Sequence, residues 1–347
     1  MTLSDFATWL LAIGDGHIGV PDKDDPRDSS WIEISSSLLI SPSPNSLQTL
    51  IDFVYGDDTL NQSTASQLLA RAIVCPTNES ADEINCQALK MVATAARVYN
   101  STDTMQPIGK HTSDFEDLYP IEYLNQLTFP GIPPHELLLK VDCPIILLRN
   151  INQKEGLCNG TRLIVSQLLP TVIEATIITG TLIGKRVYIP RIKFIHKSLD
   201  LPFVFSRKQF PVKVCYAMTI NKSQGQSLRK IGIYLSQPVF AHGQLYVALS
   251  QATSPDSIRI LLNNTDTCKN NETKNVVYRD LLQKVTSTEV YSITPCPAFE
   301  HHYYFSFYSY TNLLFTEFLL IFLILYSHSN IELTCIHLFR LQNANNK

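Results

Sequence analysis

The residues from Val212 to Ser227 read VKVCYAMTINKSQGQS and contain the clearest structural pattern in the sequence. Its first part, Val212 to Ile220, is an apolar run rich in β-branched and aromatic residues, which predicts a buried central strand. A polar loop follows, and a second apolar run begins at Ile231 and ends at Leu235. Open α/β sheets bind ligands at the carboxyl ends of their buried strands, so this loop is a candidate binding site.

The side chains of the loop suit phosphate oxygens. Lys222 supplies a point charge, and Ser223 and Gln224 supply hydrogen bonds. Gly225 lets the backbone approach a ligand closely. An ordinary corner between two strands, with no ligand, would also fit these residues, so the loop by itself leaves both interpretations open.

Four segments, in family order, resemble motifs of superfamily-one DNA helicases of the Pif-type branch, which Helitron transposons also carry. Residues 217–228 are similar to motif V, and residues 242–250 (HGQLYVALS) are similar to motif VI. Residues 71–79 resemble the strand and turn that open the second RecA-like lobe, and residues 137–165 resemble the SH3-like barrel inserted into it. The resemblance covers residues 1–262 and identifies the C-terminal portion of such a helicase.

The resemblance implies an α/β fold: a RecA-like parallel-sheet lobe with an inserted small SH3-like β-barrel. The sequence adds an apolar C-terminal helix. The predicted divisions are 1–66 (end of the first RecA-like lobe and linker), 67–121 (first part of the second lobe), 122–170 (barrel), 171–262 (remainder of the lobe, with motifs V and VI), 263–300 (polar linker) and 301–330 (apolar segment).

The resemblance also implies an activity, which is ATP hydrolysis coupled to translocation along single-stranded DNA and to unwinding. Its cofactors are ATP and Mg²⁺, and its setting is DNA repair, recombination and telomere maintenance in the nucleus. By motif position, the DNA-binding residues are Pro76, Thr77, Asn78, Thr219, Asn221, Lys222, Ser223 and Gln224. The nucleotide-binding residues are Gly225, Gln226 and Gln251, and Gln251 also occupies the catalytic position.

Two departures from the family bear on catalysis. The family places an arginine that reaches the γ-phosphate directly after the YVALS segment, and here that residue is Gln251. A neutral amide cannot stabilise developing negative charge, and such an arginine is worth about 10³ to 10⁵ in rate in P-loop enzymes. The sequence also has no G-x-x-x-x-G-K-[ST] motif and no apolar strand ending in an acidic pair. Because both belong to the first lobe, we expect no ATP hydrolysis by the isolated chain unless a separate chain supplies that lobe.

The composition limits the other classes of function. A net charge of -3 gives no global basic character. Eight single cysteines without a CxxC pair argue against a zinc site and against a disulfide scaffold. Residues 185–213 are basic nonetheless, with Lys185, Arg186, Arg191, Lys193, Lys197, Arg207, Lys208 and Lys213 against the single acid Asp200. This segment is either a strip that faces phosphates or a solvated hairpin surface.

The N-terminal half alternates helical patterns with loops. Apolar residues at helical spacing predict a helix that begins after an N-cap at Ser4 and ends at Gly14. A surface loop with a short strand at Trp31 to Ile34 follows, and then a helix from Leu47 to Tyr55. Further predictions are a strand at 71–75, a helix at 79–88, a loop at 100–120, short barrel strands at 136–141, 145–148, 162–168, 172–178 and 186–189, a helix at 243–250 and a strand at 258–262.

The tail after Leu262 does not resemble the family. Residues 303–326 are apolar enough and long enough to span a bilayer, which needs about 20 residues. Glu317 within them opposes insertion by about 2.5 to 3.5 kcal/mol. The alternative is coding sequence that reads past the ancestral end of a decayed transposon gene. Two rivals to the helicase interpretation therefore stay open: a non-enzymatic DNA-binding remnant, and an interaction protein tethered to a membrane through residues 303–326.

Overall fold

The computed structural model describes residues 1–61, 64–108, 118–226, 228–263, 271–280 and 282. The helices are α1 (Leu3–Gly14), α2 (Ser46–Val54), α3 (Gly56–Asn61), α4 (Ala65–Leu69), α5 (Asn78–Met91), α6 (Ile121–Gln126), α7 (Ile220–Ser223) and α8 (Gln244–Ser250). The strands are β1 (Val20–Pro21), β2 (Ser29–Glu33), β3 (Arg71–Cys75), β4 (Ala96–Asn100), β5 (Thr102–Pro107), β6 (Glu136–Lys140), β7 (Pro144–Leu147), β8 (Arg162–Leu168), β9 (Val172–Ile177), β10 (Arg186–Pro190), β11 (Ile192–His196), β12 (Phe203–Gln209), β13 (Val212–Val214), β14 (Ala217–Thr219), β15 (Lys230–Leu235), β16 (Ile258–Leu262) and β17 (Glu272–Val276).

A parallel sheet with the strand order β14-β3-β15-β16 lies at the centre of the described chain. Helices α2 and α5 pack on one face, and α8 packs on the other with α1 behind it. The predicted strands at 71–75 and 258–262 are confirmed. A Cβ at Gly232 would lie 2.9 Å from Leu50 Cδ1, so α2 rests closely on β15 because this position has no side chain. The architecture is that of a RecA-like α/β lobe.

The prediction of one strand from Val212 to Ile220 is wrong, because this run serves two sheets. Strand β13 pairs antiparallel with β7, whereas β14 pairs parallel with β3. The chain changes sheets at Cys215 and Tyr216, which are both buried. Ile220 begins the helical turn α7. An apolar run that is buried in both sheets carries no alternation that would mark the change.

The segment predicted as a small barrel is rich in antiparallel strands. The five predicted strands are present as β6 to β10, and four of them join β13 in a sheet with the order β10-β9-β8-β7-β13. Asn159-Gly160 forms the predicted turn, with φ of 88° at Gly160. Closure into an SH3-like barrel stays a prediction. The division at residue 170 also stays a prediction, although the antiparallel pairing continues across it to Val214.

The prediction of a loop over residues 100–120 is wrong for β5, which pairs with β12 along its whole length. The sequence pattern did not indicate this strand, because its inward residue Asp103 is charged. Asp103 is buried and binds Arg207 of β12, with Arg207 Nη2 2.7 Å from Asp103 Oδ2. Residues 109–117 lie outside the described residues.

Strand β17 lies in the segment predicted as a linker over 263–300, and it pairs with β2. Its inward residues are the polar Thr273 and Asn275, which hid the strand from a search for apolar alternation. Asn275 Nδ2 donates to Ile13 O at 2.9 Å and so fastens β17 to α1. The predicted N-cap of α1 at Ser4 is also wrong, because Thr2 and Asp5 form the capping box.

The predicted membrane segment 303–326 lies outside the described residues. Among the helices that the structure does describe, none has the length and apolar character that crossing a bilayer requires.

An ion pair between Asp22 and Lys274 joins β17 to the turn after β1, with Lys274 Nζ 2.6 Å from Asp22 Oδ2. The hydrogen bond from Lys274 holds the pKa of Asp22 below its ordinary value. The pair therefore stabilises the fold above about pH 4 and loses this effect as the pH falls through the lowered pKa.

We expect Asp22→Asn to lower the thermal midpoint at neutral pH by the equivalent of about 1 kcal/mol. The difference from the native chain should shrink towards zero as the pH falls through the lowered pKa of Asp22, because the native carboxylate is then protonated as well. Thermal melts from neutral pH down through the acid range test this, with Asp24→Asn at the exposed neighbouring acid as the control. A difference that does not change with pH would show that the charge of Asp22 is not the cause.

Candidate nucleic-acid interface

Two segments predicted to bind DNA lie side by side at the carboxyl edge of the parallel sheet. Strands β3 and β14 are neighbours in this sheet, and Cys75 is paired with Thr219. Residues 76–78 follow β3 and residues 220–226 follow β14, so both leave the sheet at the same edge. Ligands of open α/β sheets bind at this edge.

The loop at residues 220–226 is anchored on one side and open on the other. Ile220 is fully buried and holds α7 against the core, whereas Asn221 and Lys222 are exposed. Gly225 has φ of 78°, and a Cβ built there would have no atom within 4 Å. The loop thus offers an amide, a cation and an approachable backbone to the solvent.

The side chain of Ser223, which was predicted to bind DNA, is turned into the fold. The residue is fully buried, and its hydroxyl donates to Ile220 O at 2.7 Å. Short polar side chains readily hydrogen-bond to the nearby backbone in this way, and here the bond closes the α7 turn. Thr219 and Gln224 on either side are half-buried.

Among the three residues predicted after β3, only Asn78 presents an exposed polar side chain. Pro76 is buried. Thr77 is the N-cap of α5, and its hydroxyl accepts a hydrogen bond from Ser80 N at 3.3 Å. Burial raises the pKa of the neighbouring Cys75 thiol to about 12, so this thiol is neutral.

Asn85 of α5 fixes the position of the loop, and it was not among the predicted site residues. Its Nδ2 donates to Ala217 O at 3.1 Å, and its Oδ1 accepts from Ala217 N at 2.8 Å. The amide therefore takes the place of a further strand beside β14, which is the edge of the sheet. An asparagine on the apolar face of α5, among Ala81, Ile84 and Ala88, was the available indication.

Gln251, at the position of the family's arginine, is turned back onto its own helix. It is 6% exposed, and its Nε2 donates to Val247 O at 3.0 Å. Its backbone oxygen accepts from Leu228 N at 3.0 Å. The main chain at Gln251 therefore ties the end of α8 to the segment that follows the 220–226 loop.

Two of the three residues predicted to bind the nucleotide, Gln226 and Gln251, place their side-chain oxygens where a phosphate cannot pair with them. The Oε1 atoms of Gln226 and Gln251 are buried and have no hydrogen-bond donor among the described residues. Phosphate oxygens are acceptors and cannot satisfy these two atoms. Within the described residues, no group of three or more His, Cys, Asp or Glu side chains could hold a metal ion.

An exposed aromatic residue lies at the same edge of the sheet. Phe240 is 65% exposed in the loop that connects the carboxyl end of β15 to α8. The buried Gln244 holds this loop, because its Oε1 accepts from Phe240 N at 3.1 Å and from Ala241 N at 3.3 Å. Phe240 was not predicted as a site residue, because one aromatic residue in a loop forms no sequence pattern.

Comparisons with known proteins give matches to helicases. The model described as "DNA helicase Pif1, 2B domain" matches residues 122–168, and a model described as "Helicase" matches residues 203–289. The ATP-dependent DNA helicase PIF1 of Danio rerio is 28% identical over 200 residues, which is 54% of this chain and 27% of that protein. ATP-dependent DNA helicase Pif1 of Campylobacter jejuni is 29% identical over 197 residues, which is 54% of this chain and 41% of that protein. The crystal structure of Pif1 helicase from Candida albicans superposes with a TM-score of 0.43 at 22% identity, covering 69% of this chain and 57% of that one.

These family models and curated relatives confirm the predicted resemblance to superfamily-one helicases of the Pif1 type. The chain spans well under half the length of these two curated relatives, 27% and 41%. The Helitron branch stays a prediction.

Proposed function

We propose that this chain is the second RecA-like lobe of a Pif1-type helicase and that it binds single-stranded DNA across the carboxyl edge of its parallel sheet. The observation that carries the proposal is the pairing of β3 with β14, which brings the 76–78 and 220–226 segments together. Lys222 and Asn221 would contact phosphate oxygens, and the open backbone at Gly225 would let the strand approach closely. Asn78 would contact the DNA backbone from the neighbouring loop.

Phe240 would stack on a base at this edge. Proteins that bind single strands without sequence preference combine phosphate contacts with aromatic platforms, because every base has a π-face. Gln244 holds the Phe240 loop by two hydrogen bonds, so the ring is presented from a fixed backbone.

We propose further that this chain hydrolyses ATP only when a first RecA-like lobe joins it, from a separate chain or from additional sequence. No P-loop motif occurs in these 347 residues. The purified chain should therefore bind single-stranded DNA but show no DNA-stimulated ATP turnover above a heat-killed control. Turnover that disappears when Mg²⁺ is removed would contradict this part of the proposal.

A non-enzymatic DNA-binding remnant is the second candidate, and the buried amide of Gln251 favours it. Supplying a first lobe in trans separates the two candidates, with the native chain and with Gln251→Arg. ATP turnover that appears only with Gln251→Arg would mean that the site is intact apart from this residue. No turnover with either chain, while DNA binding persists, would favour the remnant. A membrane-tethered role depends on residues 303–326, which lie outside the described residues.

A further inference from the structure

Strands β11, β12 and β5 form a sheet whose outward face carries positive charge and no carboxylate. The three strands are joined in the order β11-β12-β5. Lys193 and Lys208 point outward, and Lys197 follows β11 as a further exposed lysine. The one acid within the three strands, Asp103, faces inward and is neutralised by Arg207.

The other outward positions of this face are polar or apolar but uncharged. They are the exposed Thr102, Thr104 and Gln106 of β5 and Ile195 of β11, the half-buried Val204 of β12, and Ser206 of β12, which is buried at 8% exposure. Hydroxyl and amide groups of this kind are the usual partners of phosphate oxygens beside lysines. Successive outward residues are about 6.7 Å apart along a strand, and neighbouring strands are about 4.8 Å apart. The face is thus a flat array of cations and hydrogen-bonding groups.

Two of the lysines are placed directly opposite one another. Lys193 is the cross-strand partner of Lys208, and Lys208 is in turn paired with Thr102. Like charges in opposite positions destabilise a sheet. Among the described residues, no carboxylate lies within ion-pair distance of either ammonium group. A bound polyanion would relieve this repulsion.

We infer that the outward face of the β11-β12-β5 sheet binds the phosphodiester backbone of nucleic acid, as a second contact separate from the 220–226 loop. Because the described outward positions include no aromatic residue, this face would hold the backbone without stacking on bases and so without sequence preference. The inference goes beyond the proposed function. It rests on the proposed function only because it takes the anion bound by this face to be nucleic acid. Single-stranded and double-stranded DNA share the phosphates that the lysines would contact, so the experiment measures both forms.

The test compares the double variant Lys193→Gln/Lys208→Gln with the control Lys23→Gln/Lys154→Gln, which removes two exposed lysines from elsewhere. Fluorescence titrations with a labelled single strand and with a labelled duplex, at several salt concentrations, give the affinity and its salt dependence. We expect the slope of log affinity against log salt to fall by about 1.4 for the single strand or about 1.8 for the duplex. The form whose slope changes is the form that this face binds.

Thermal melts separate loss of binding from loss of folding. The double variant should melt at a higher temperature than the native chain at low salt, because the repulsion is gone, and the gain should vanish at high salt. An unchanged salt slope for both nucleic acids would overturn the inference. The inference would also be overturned if the double variant lost binding to polyglutamate or to phosphatidylserine vesicles while its binding to nucleic acid stayed unchanged.

Lys222→Gln, measured alongside, separates this inference from the proposed function. If Lys222→Gln weakens single-strand binding and the double variant does not change either slope, the inference fails and the proposed function stands. If Lys222→Gln has no effect and the double variant lowers the slope, the outward sheet face is the DNA site and the loop is not.

Discussion

Arg207→Met is expected to lower the free energy of unfolding by about 3 to 5 kcal/mol, because it leaves a buried carboxylate without its counter-charge. Arg207 is 1% exposed, and the Asp103 side chain beside it is fully buried. The guanidinium binds both carboxylate oxygens of Asp103. It also donates to four backbone oxygens, those of Leu124, Asn125, Leu127 and Pro133. The same side chain therefore joins β5 and β12 to α6 and the segment after it.

Urea unfolding of three variants measures this effect. Lys208→Met replaces the exposed neighbour in the same strand and should change the free energy of unfolding by less than about 0.5 kcal/mol. The double variant Asp103→Leu/Arg207→Met should recover part of the stability, because no charge is left buried. The recovery should stay incomplete, since the four carbonyl groups no longer have their donor. An Arg207→Met chain as stable as the native one would show that Asp103 is not paired as described.

Phe240→Ala is expected to weaken single-stranded DNA binding by about 1 to 3 kcal/mol, the range found for a base stacked on an aromatic side chain. Phe240→Trp should keep the affinity, because it keeps a π-face. Melting should hardly change in either variant, since the ring is 65% exposed. Stacking is insensitive to salt compared with phosphate contacts, so the salt slope should be the same in both variants.

Tyr188→Ala is the matched control, because Tyr188 is another exposed aromatic residue, 60% exposed on β10. Its removal should leave the affinity for single-stranded DNA unchanged. If the native chain and Phe240→Ala bind single-stranded DNA with equal affinity, Phe240 is not part of the proposed interface. The proposed role of the 220–226 loop would be unaffected by that result.

The sequence predicted several elements whose burial is apolar, and it missed two strands whose inward residues are largely polar. Strands β3 and β16 are short runs of β-branched and aliphatic residues, and helix α8 buries Leu245, Ala248 and Leu249 as expected. Strands β5 and β17 turn Asp103, Thr273 and Asn275 inward instead. Asp103 is buried against the guanidinium of Arg207, which lies 104 residues away in the sequence. No local pattern contains such a partner.

The structure brings the two predicted loops together, but it turns some of their predicted side chains into the fold. The motifs identified two loops, and the parallel pairing of β3 with β14 brings them together. The sequence could not show which side chains would be used locally. The hydroxyls of Thr77 and Ser223 both bind the nearby backbone, which is the commonest alternative for short polar side chains at turns. Asn85, which fixes the edge strand, lies 132 residues from its partner Ala217.

The most direct test of the central claim is a titration of the purified chain with a labelled single strand, comparing Lys222→Glu with Lys154→Glu. Both variants reverse one exposed lysine and have the same net charge, so long-range electrostatics change equally. If the 220–226 loop binds the DNA backbone, Lys222→Glu lowers the affinity and reduces the salt slope by about 0.7 for each phosphate that the loop no longer neutralises. Lys154→Glu then stays close to the native chain. Equal affinities and equal slopes for the two variants would contradict the claim that the carboxyl edge of the parallel sheet binds single-stranded DNA.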